Sequence, residues 1–150
     1  MIPIITGVIA SSYKVGSLEW AVELDVCPSP NTTTLYTAPS DIALLPGVVM
    51  YTDASLASIA TNQTFVVGAN LYITDGSGAI FVSQNKPTDN TFYDSCDPYS
   101  SPVTLWVTTQ SVGGYVYTGC DLTPFAGTSF SNQSVYFDLL DGVIQSSTAC

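Results

Sequence analysis

The chain contains no histidine and no arginine, and its only basic side chains are Lys14 and Lys86. Without histidine, neither a Ser-His-Asp nor a Cys-His constellation exists, so nucleophilic catalysis of the common types is excluded. Two cations against twelve carboxylates leave a net charge of −10. Nucleic-acid affinity comes mainly from Lys and Arg displacing counterions, so nucleic acid is not an expected partner. An anionic membrane surface repels such a chain as well. Charged residues make up only 9% of the chain against 46% hydrophobic, which is too apolar for a disordered segment. No run approaches the 18 or so apolar residues of a membrane span. Close Cys-x2-Cys pairs are missing, so a thiolate zinc site is not expected. Nor does any segment offer ten residues of helical period without Gly, Pro or β-branched interruption. The expected fold is therefore all-β.

What is present is strand and turn. "LEWAVELDV" at 18–26 places Leu18, Trp20, Val22, Leu24 and Val26 on one side and Glu19, Ala21, Glu23 and Asp25 on the other. That period of two predicts a half-buried strand. Beyond it the chain repeats itself. "CPSPNTTTLYT" (27–37) resembles "CDPYSSPVTLWVT" (96–108), with Leu35-Tyr36 answering Leu105-Trp106. "GVVMYTDASLASIA" (47–60) resembles "GYVYTGCDLTPFAG" (114–127), so that Tyr51-Thr52 falls on Tyr117-Thr118, Leu56 on Leu122, Ile59 on Phe125 and Ala60 on Ala126. Each copy closes on an aromatic strand and an Asp-Gly turn, "NLYITDGSGAIFVS" (70–83) and "SVYFDLLDGVIQSS" (134–147). Asp-Gly between apolar alternations is a strong hairpin signal. The expectation is two related small β-sandwich or β-hairpin modules, 27–95 and 96–150, whose copies cover each other's apolar faces. Residues 1–26 form a separate N-terminal segment of strands.

Chemistry has few places to reside. Glu19 and Glu23 share a strand face, but four residues of strand separate them by about 13 Å, too far for a glycosidase pair. Asp75, Asp138 and Asp141 stand where a turn needs them. "DNTFYDSCDPY" (89–99), with Asp89, Asp94 and Asp97, is the best calcium candidate but lacks the spaced acidic run of a calcium loop. No catalytic residue, metal or cofactor is expected. Nine tyrosines and two tryptophans could offer a sugar-stacking surface, though sheets favour aromatics for packing too. Asn31, Asn62 and Asn132 occupy Asn-x-Ser/Thr sequons, which matter only in a glycosylating compartment. The four cysteines, Cys27, Cys96, Cys120 and Cys150, allow three pairings. Disulfides suit an extracellular life. Cys27–Cys96 closing the first module and Cys120–Cys150 the second is the favoured arrangement, because Cys120 occurs only in the second copy, opposite Ala54.

The start, "MIPIITGVIASSY", carries no basic residue before its apolar run, and Pro3 and Gly7 interrupt it, so it does not match a secretory signal. It resembles the Ile-Pro-x-Ile-x-Gly-Val-Ile-Ala-Ser-Ser openings of structural proteins of tailed bacteriophages. The modules "VVMYTDASLASIA" and "YVYTGCDLTPFAG" are similar to the YTD-x-x-L-x-x-P-F β-repeats of phage appendage proteins. The first copy departs from that pattern, with Ala57-Ser58-Ile59 where the second has Thr123-Pro124-Phe125. The resemblance implies a virion appendage or decoration protein (head fibre, head decoration or tail fibre) with no catalytic residues. It implies capsid or tail proteins as partners, assembly in the host cytoplasm and a place on the virion exterior, extracellular after lysis. A homo-oligomer is expected, trimers being common among such appendages, although the sequence does not set the number. Ile2, Ile4, Ile5, Val8 and Ile9 form an apolar β-branched edge suited to strand addition onto a partner's sheet, and are the expected assembly residues. Two other readings stay open: a module recognising a host surface glycan, and a cellular surface-layer, pilus or adhesin subunit.

Overall fold

In the computed structural model the described residues are 10, 12–14, 16–24 and 31–150, with side chains described at 10, 16–24 and 31–150. The architecture is all-β. Among the described residues twelve strands follow one another: β1 (Ser12–Lys14), β2 (Ser17–Leu24), β3 (Asn31–Thr37), β4 (Thr64–Val67), β5 (Asn70–Thr74), β6 (Ile80–Asn85), β7 (Thr88–Tyr93), β8 (Pro102–Val107), β9 (Val116–Tyr117), β10 (Ser129–Ser131), β11 (Val135–Leu140) and β12 (Val143–Ala149). The chain divides into two compact units, Met1–Gln84 and Asn85–Cys150. β1 to β6 lie in one sheet and β7 to β12 in another.

In both units the pairings run in a ring. In the second, β7 pairs with β8, β8 with β9, β11 with β12, β10 with β11 and β10 with β7, all antiparallel. The bridge Tyr115↔Val143 joins the β9 segment to β12 and completes the circle. In the first, β2 pairs with β3 and with β4, and β4 with β5, which neighbours β6. Segment 48–51 then takes the place of β9, bridging β3 at Tyr36↔Tyr51 and the start of β6 at Val49↔Ala79. Each small sandwich is thus closed into a six-strand barrel. β1 stands outside the ring, alongside the first half of β2.

A barrel of so few strands has room inside only for side chains. The first is filled by Trp20, Val22, Leu35, Met50, Phe65, Tyr72 and Ile80, with Leu44 and Ala60 from the loops. The second is filled by Phe92, Leu105, Val107, Val116, Phe130, Phe137, Leu139 and Ile144. Every strand position of the ring contributes. Phe65 stacks on its cross-strand partner Tyr72 with centroids 5.3 Å apart, and Phe130 stacks likewise on Phe137 at 4.8 Å. The covering of apolar faces expected between copies is therefore supplied within each barrel, because a ring of strands encloses its own inward side chains.

The duplication extends to single hydrogen bonds. The Gly47 amide donates to the Ile80 carbonyl (2.8 Å) and the Gly113 amide to the Ile144 carbonyl (2.9 Å). Met50 and Val116 donate to Gly78 and Gly142 (2.8 Å each), and receive bonds from Ala60 (2.9 Å) and Phe125 (3.0 Å). Gly47 and Gly113 share the left-handed backbone, with φ of 92° and 90°, where a Cβ is costly. Leu56 and Leu122 share it too, at 59° and 64°.

Three sequence expectations shift. The repeat opens one strand earlier than the cysteines indicate: β2 and β7 play the same part, β2 reaching β4 at Glu23↔Val66 and β7 reaching β10 at Tyr93↔Ser131. The division at Gln84 accordingly precedes Cys96, and β2 belongs to the first barrel. Within the Tyr-Thr phrase, the Thr52 amide bonds to the Ser58 carbonyl whereas that of Thr118 bonds to Thr123, so the second loop is one residue shorter after Leu122. Ala60 therefore corresponds to Phe125. The two Asp-Gly turns also differ: Asp141 and Gly142 both have positive φ, as a tight type I′ hairpin requires, while the first turn spans Asp75 to Ala79 with its positive φ at Gly78.

Candidate functional site

A ring of strands alternates its side chains between core and surface, so the outward positions are where function can reside. Four of the aspartates there are occupied by their own turns, and a fifth bonds across a hairpin. Asp53 Oδ1 accepts the amides of Ala57 (3.0 Å) and Ser58 (2.9 Å), and Oδ2 accepts the Ser55 hydroxyl. The Ser55 bond, with the Ser58 and Ala57 amides, holds this carboxyl below the ordinary aspartate value of 3.8. Asp75 accepts the amides of Ser77 and Ala79, Asp97 that of Tyr99, and Asp121 that of Thr123. Asp138 accepts the Ser146 hydroxyl across its hairpin. The bonds of Asp53, Asp75, Asp97 and Asp121 are turn-forming bonds that compete with acid–base or metal roles. Among the described residues no three Cys, Asp or Glu side chains gather as a metal site would require. In the 89–99 segment, Asp89 lies on β7 opposite Trp106, and Asp97 serves its own turn.

Cys96 is bonded to Cys150, which overturns the expected Cys27–Cys96 and Cys120–Cys150 pairing. The physical reason is the barrel: the end of β12 runs beside β11, which brings residue 150 back to the β7–β8 loop that carries Cys96. Cys120 is also in a disulfide. Cys27 and the expected assembly residues Ile2, Ile4, Ile5, Val8 and Ile9 lie outside the described residues. Of the sequons, Asn31 and Asn62 are exposed, while Asn132 donates to Gln110 and accepts the amides of Ser134 and Val135.

The outer faces carry a feature that single-strand patterns do not reveal. In the first barrel, Glu19 pairs in register with Tyr36, Tyr36 with Tyr51 and Tyr51 with Ile59. In the second, Asp89 pairs with Trp106, Trp106 with Tyr117 and Tyr117 with Pro124. The neighbours along each strand, Leu35 and Thr37, Met50, Leu105 and Val107, and Val116, are buried. Both rows therefore face outward, each running from carboxylate through two aromatics to an apolar residue. Thr34 and Thr104, two positions before Tyr36 and Trp106, lie on the same outer faces. Spotting these rows in the sequence requires the cross-strand register, which the Leu-Tyr/Leu-Trp and Tyr-Thr matches supply only in part.

An open groove of about 510 Å³ lies in the second unit between 124–128 and 139–142. Phe125, Leu139 and Leu140 line it, with Thr128 and Asp141 as its hydrogen-bonding side chains. Among these features, the paired outer rows are the arrangement that could hold a ligand. No protein-family model, curated protein or solved structure matches the chain.

Proposed function

We propose that this chain is a non-enzymatic structural protein of a phage virion, a head decoration, head-fibre or tail-fibre component exposed on the particle exterior. The observation that carries the structural part of this reading is the closed ring of pairings, built twice. Strands paired on both sides leave few backbone groups to template aggregation, a property needed wherever many copies crowd together. A net charge of −10 adds mutual repulsion between copies. Aspartates committed to turns fit a chain that holds shape rather than performs chemistry. The virion location rests on the resemblance of the opening "IPIITGVIASS" and of the Tyr-Thr-Asp repeats to phage structural proteins.

In this reading residues 1–26 include the attachment segment, Ile2 to Ile9 adding as a strand to a capsid or tail partner, and the barrels form a homo-oligomeric appendage. Mass spectrometry of particles purified from the encoding replicon tests the proposal. The full chain should be found in particles, and a variant lacking residues 1–10 should be lost from them while its circular dichroism stays that of a β protein. Normal incorporation of the shortened chain contradicts the attachment role. Recovery of the full chain only from cell surfaces contradicts the virion role.

A further inference from the structure

We propose that the two outer rows, Glu19–Tyr36–Tyr51 with Thr34 and Asp89–Trp106–Tyr117 with Thr104, are carbohydrate-binding platforms for neutral, hydroxyl-rich glycan chains, one per barrel. This inference does not depend on the virion reading.

An internal duplication lets one barrel serve as the control for the other. Two inward positions have diverged in kind, although Leu35 and Leu105, Phe65 and Phe130, and Ile80 and Ile144 are unchanged: Thr37, which receives the Trp20 indole N–H, is answered by Val107, and Thr74, which donates to the Ala60 carbonyl, by Leu139. The outer row has kept its chemistry at every one of its positions. Acid answers acid, threonine answers threonine, and two aromatics answer two aromatics. Cross-strand aromatic pairs do stabilise sheets, by up to about 1 kcal/mol each. Sheet stability, however, does not require a carboxylate at the same end of both rows or a hydroxyl beside the same ring.

The retained set suits one ligand chemistry. Tyr and Trp present flat apolar bodies with polar tips, which pack on the C–H faces of a sugar ring. Tyrosine and threonine hydroxyls donate and accept, and a carboxylate accepts from vicinal hydroxyls. Charge narrows the class. With no arginine in the chain, a net charge of −10 and an acid in each row, sialylated, sulfated or uronic-acid glycans are repelled. A basic peptide would be attracted to the acid, but each row offers it one carboxylate among otherwise uncharged members.

The test uses the full chain on an array holding neutral hexose and N-acetylhexosamine oligosaccharides, their sialylated and uronic-acid counterparts, and a lysine-rich peptide. Hits are quantified by saturation-transfer NMR. Neutral oligosaccharides should bind, with saturation passing from Tyr and Trp ring protons to the C–H protons of the sugar. Trp106→Thr should weaken binding about tenfold, and Tyr36→Thr with Trp106→Thr should abolish it. Tyr99→Ser, at a 94% exposed tyrosine outside the rows, should leave it unchanged. Absence of neutral-glycan binding by the wild-type chain overturns the proposal whatever the variants do. So does preference for anionic glycans or the lysine-rich peptide, or undiminished binding by a folded double variant.

Discussion

In the first barrel the loop after Tyr51 is held by a carboxylate, Asp53, which gathers two amides and a hydroxyl. In the second, Gly119 stands where Asp53 would be, and the next residue, Cys120, is in a disulfide. The second barrel is further tied by Cys96–Cys150, and the β7–β8 loop by Ser131 and Gln133 side chains donating to the Ser95 carbonyl. Yet the main-chain bonds that close the two rings coincide to within 0.1 Å. The strand plan and its inward side chains specify the barrel, and the loop fastenings are exchangeable.

That comparison can be broken or sharpened by matched substitutions. The largest effect should come from the stacked phenylalanines. Phe65→Ala and Phe130→Ala should each cost about 3–5 kcal/mol in denaturant unfolding, because each empties a barrel too narrow to refill. A loss below about 1 kcal/mol at either site would mean the two cores are not equivalent. Next, replacing Cys96 and Cys150 together by serine should cost about 2–4 kcal/mol, since the bond closes a chain separation of 54 residues. Thr37→Val, which copies the second barrel into the first, should cost about 1–3 kcal/mol by leaving the buried Trp20 N–H without its acceptor. An unchanged midpoint would show that this hydrogen bond is dispensable. Gly47→Ala and Gly113→Ala should cost about 1–2 kcal/mol alike, since neither site crowds a Cβ and only the backbone objects.

The smallest effect is electrostatic. The lowered pKa of Asp53 means its contribution to the fold is complete above the ordinary carboxyl value of 3.8 and is lost as pH falls through the lowered one. Carbon-detected NMR titration should place the Asp53 midpoint below 3.8, with the Ala57 and Ser58 amide signals moving in step. A midpoint at or above that value contradicts the loop geometry.

Much of the fold was legible in the chain. The alternation of Leu18, Trp20 and Val22 predicts a half-buried strand, and all three are buried on β2. The Tyr-Thr phrase and the Asp-Gly turns announce the duplication. Its starting point was not legible, because "SLEWAVEL" and "TDNTFY" hold the same place in the ring with almost no residue in common. The cysteine-led match drew the boundary elsewhere for want of that signal. The single-residue shortening after Leu122 was hidden by an alanine recurring at 60 and 126. The outer rows were legible only as an abundance of aromatics, since a row across strands exists once register is fixed. Disulfide pairing had the same obstacle: it depends on which loops the ring brings together.

Native-state amide hydrogen exchange tests the duplicated closed ring most directly. The amides of Gly47, Met50 and Ile80 in one barrel, and of Gly113, Val116 and Ile144 in the other, make the bonds that close it. They should be protected as strongly as the amides of β3 and β8. Exchange at unprotected rates from these positions in either barrel, while its strand amides stay protected, would show an open sheet in place of a closed one.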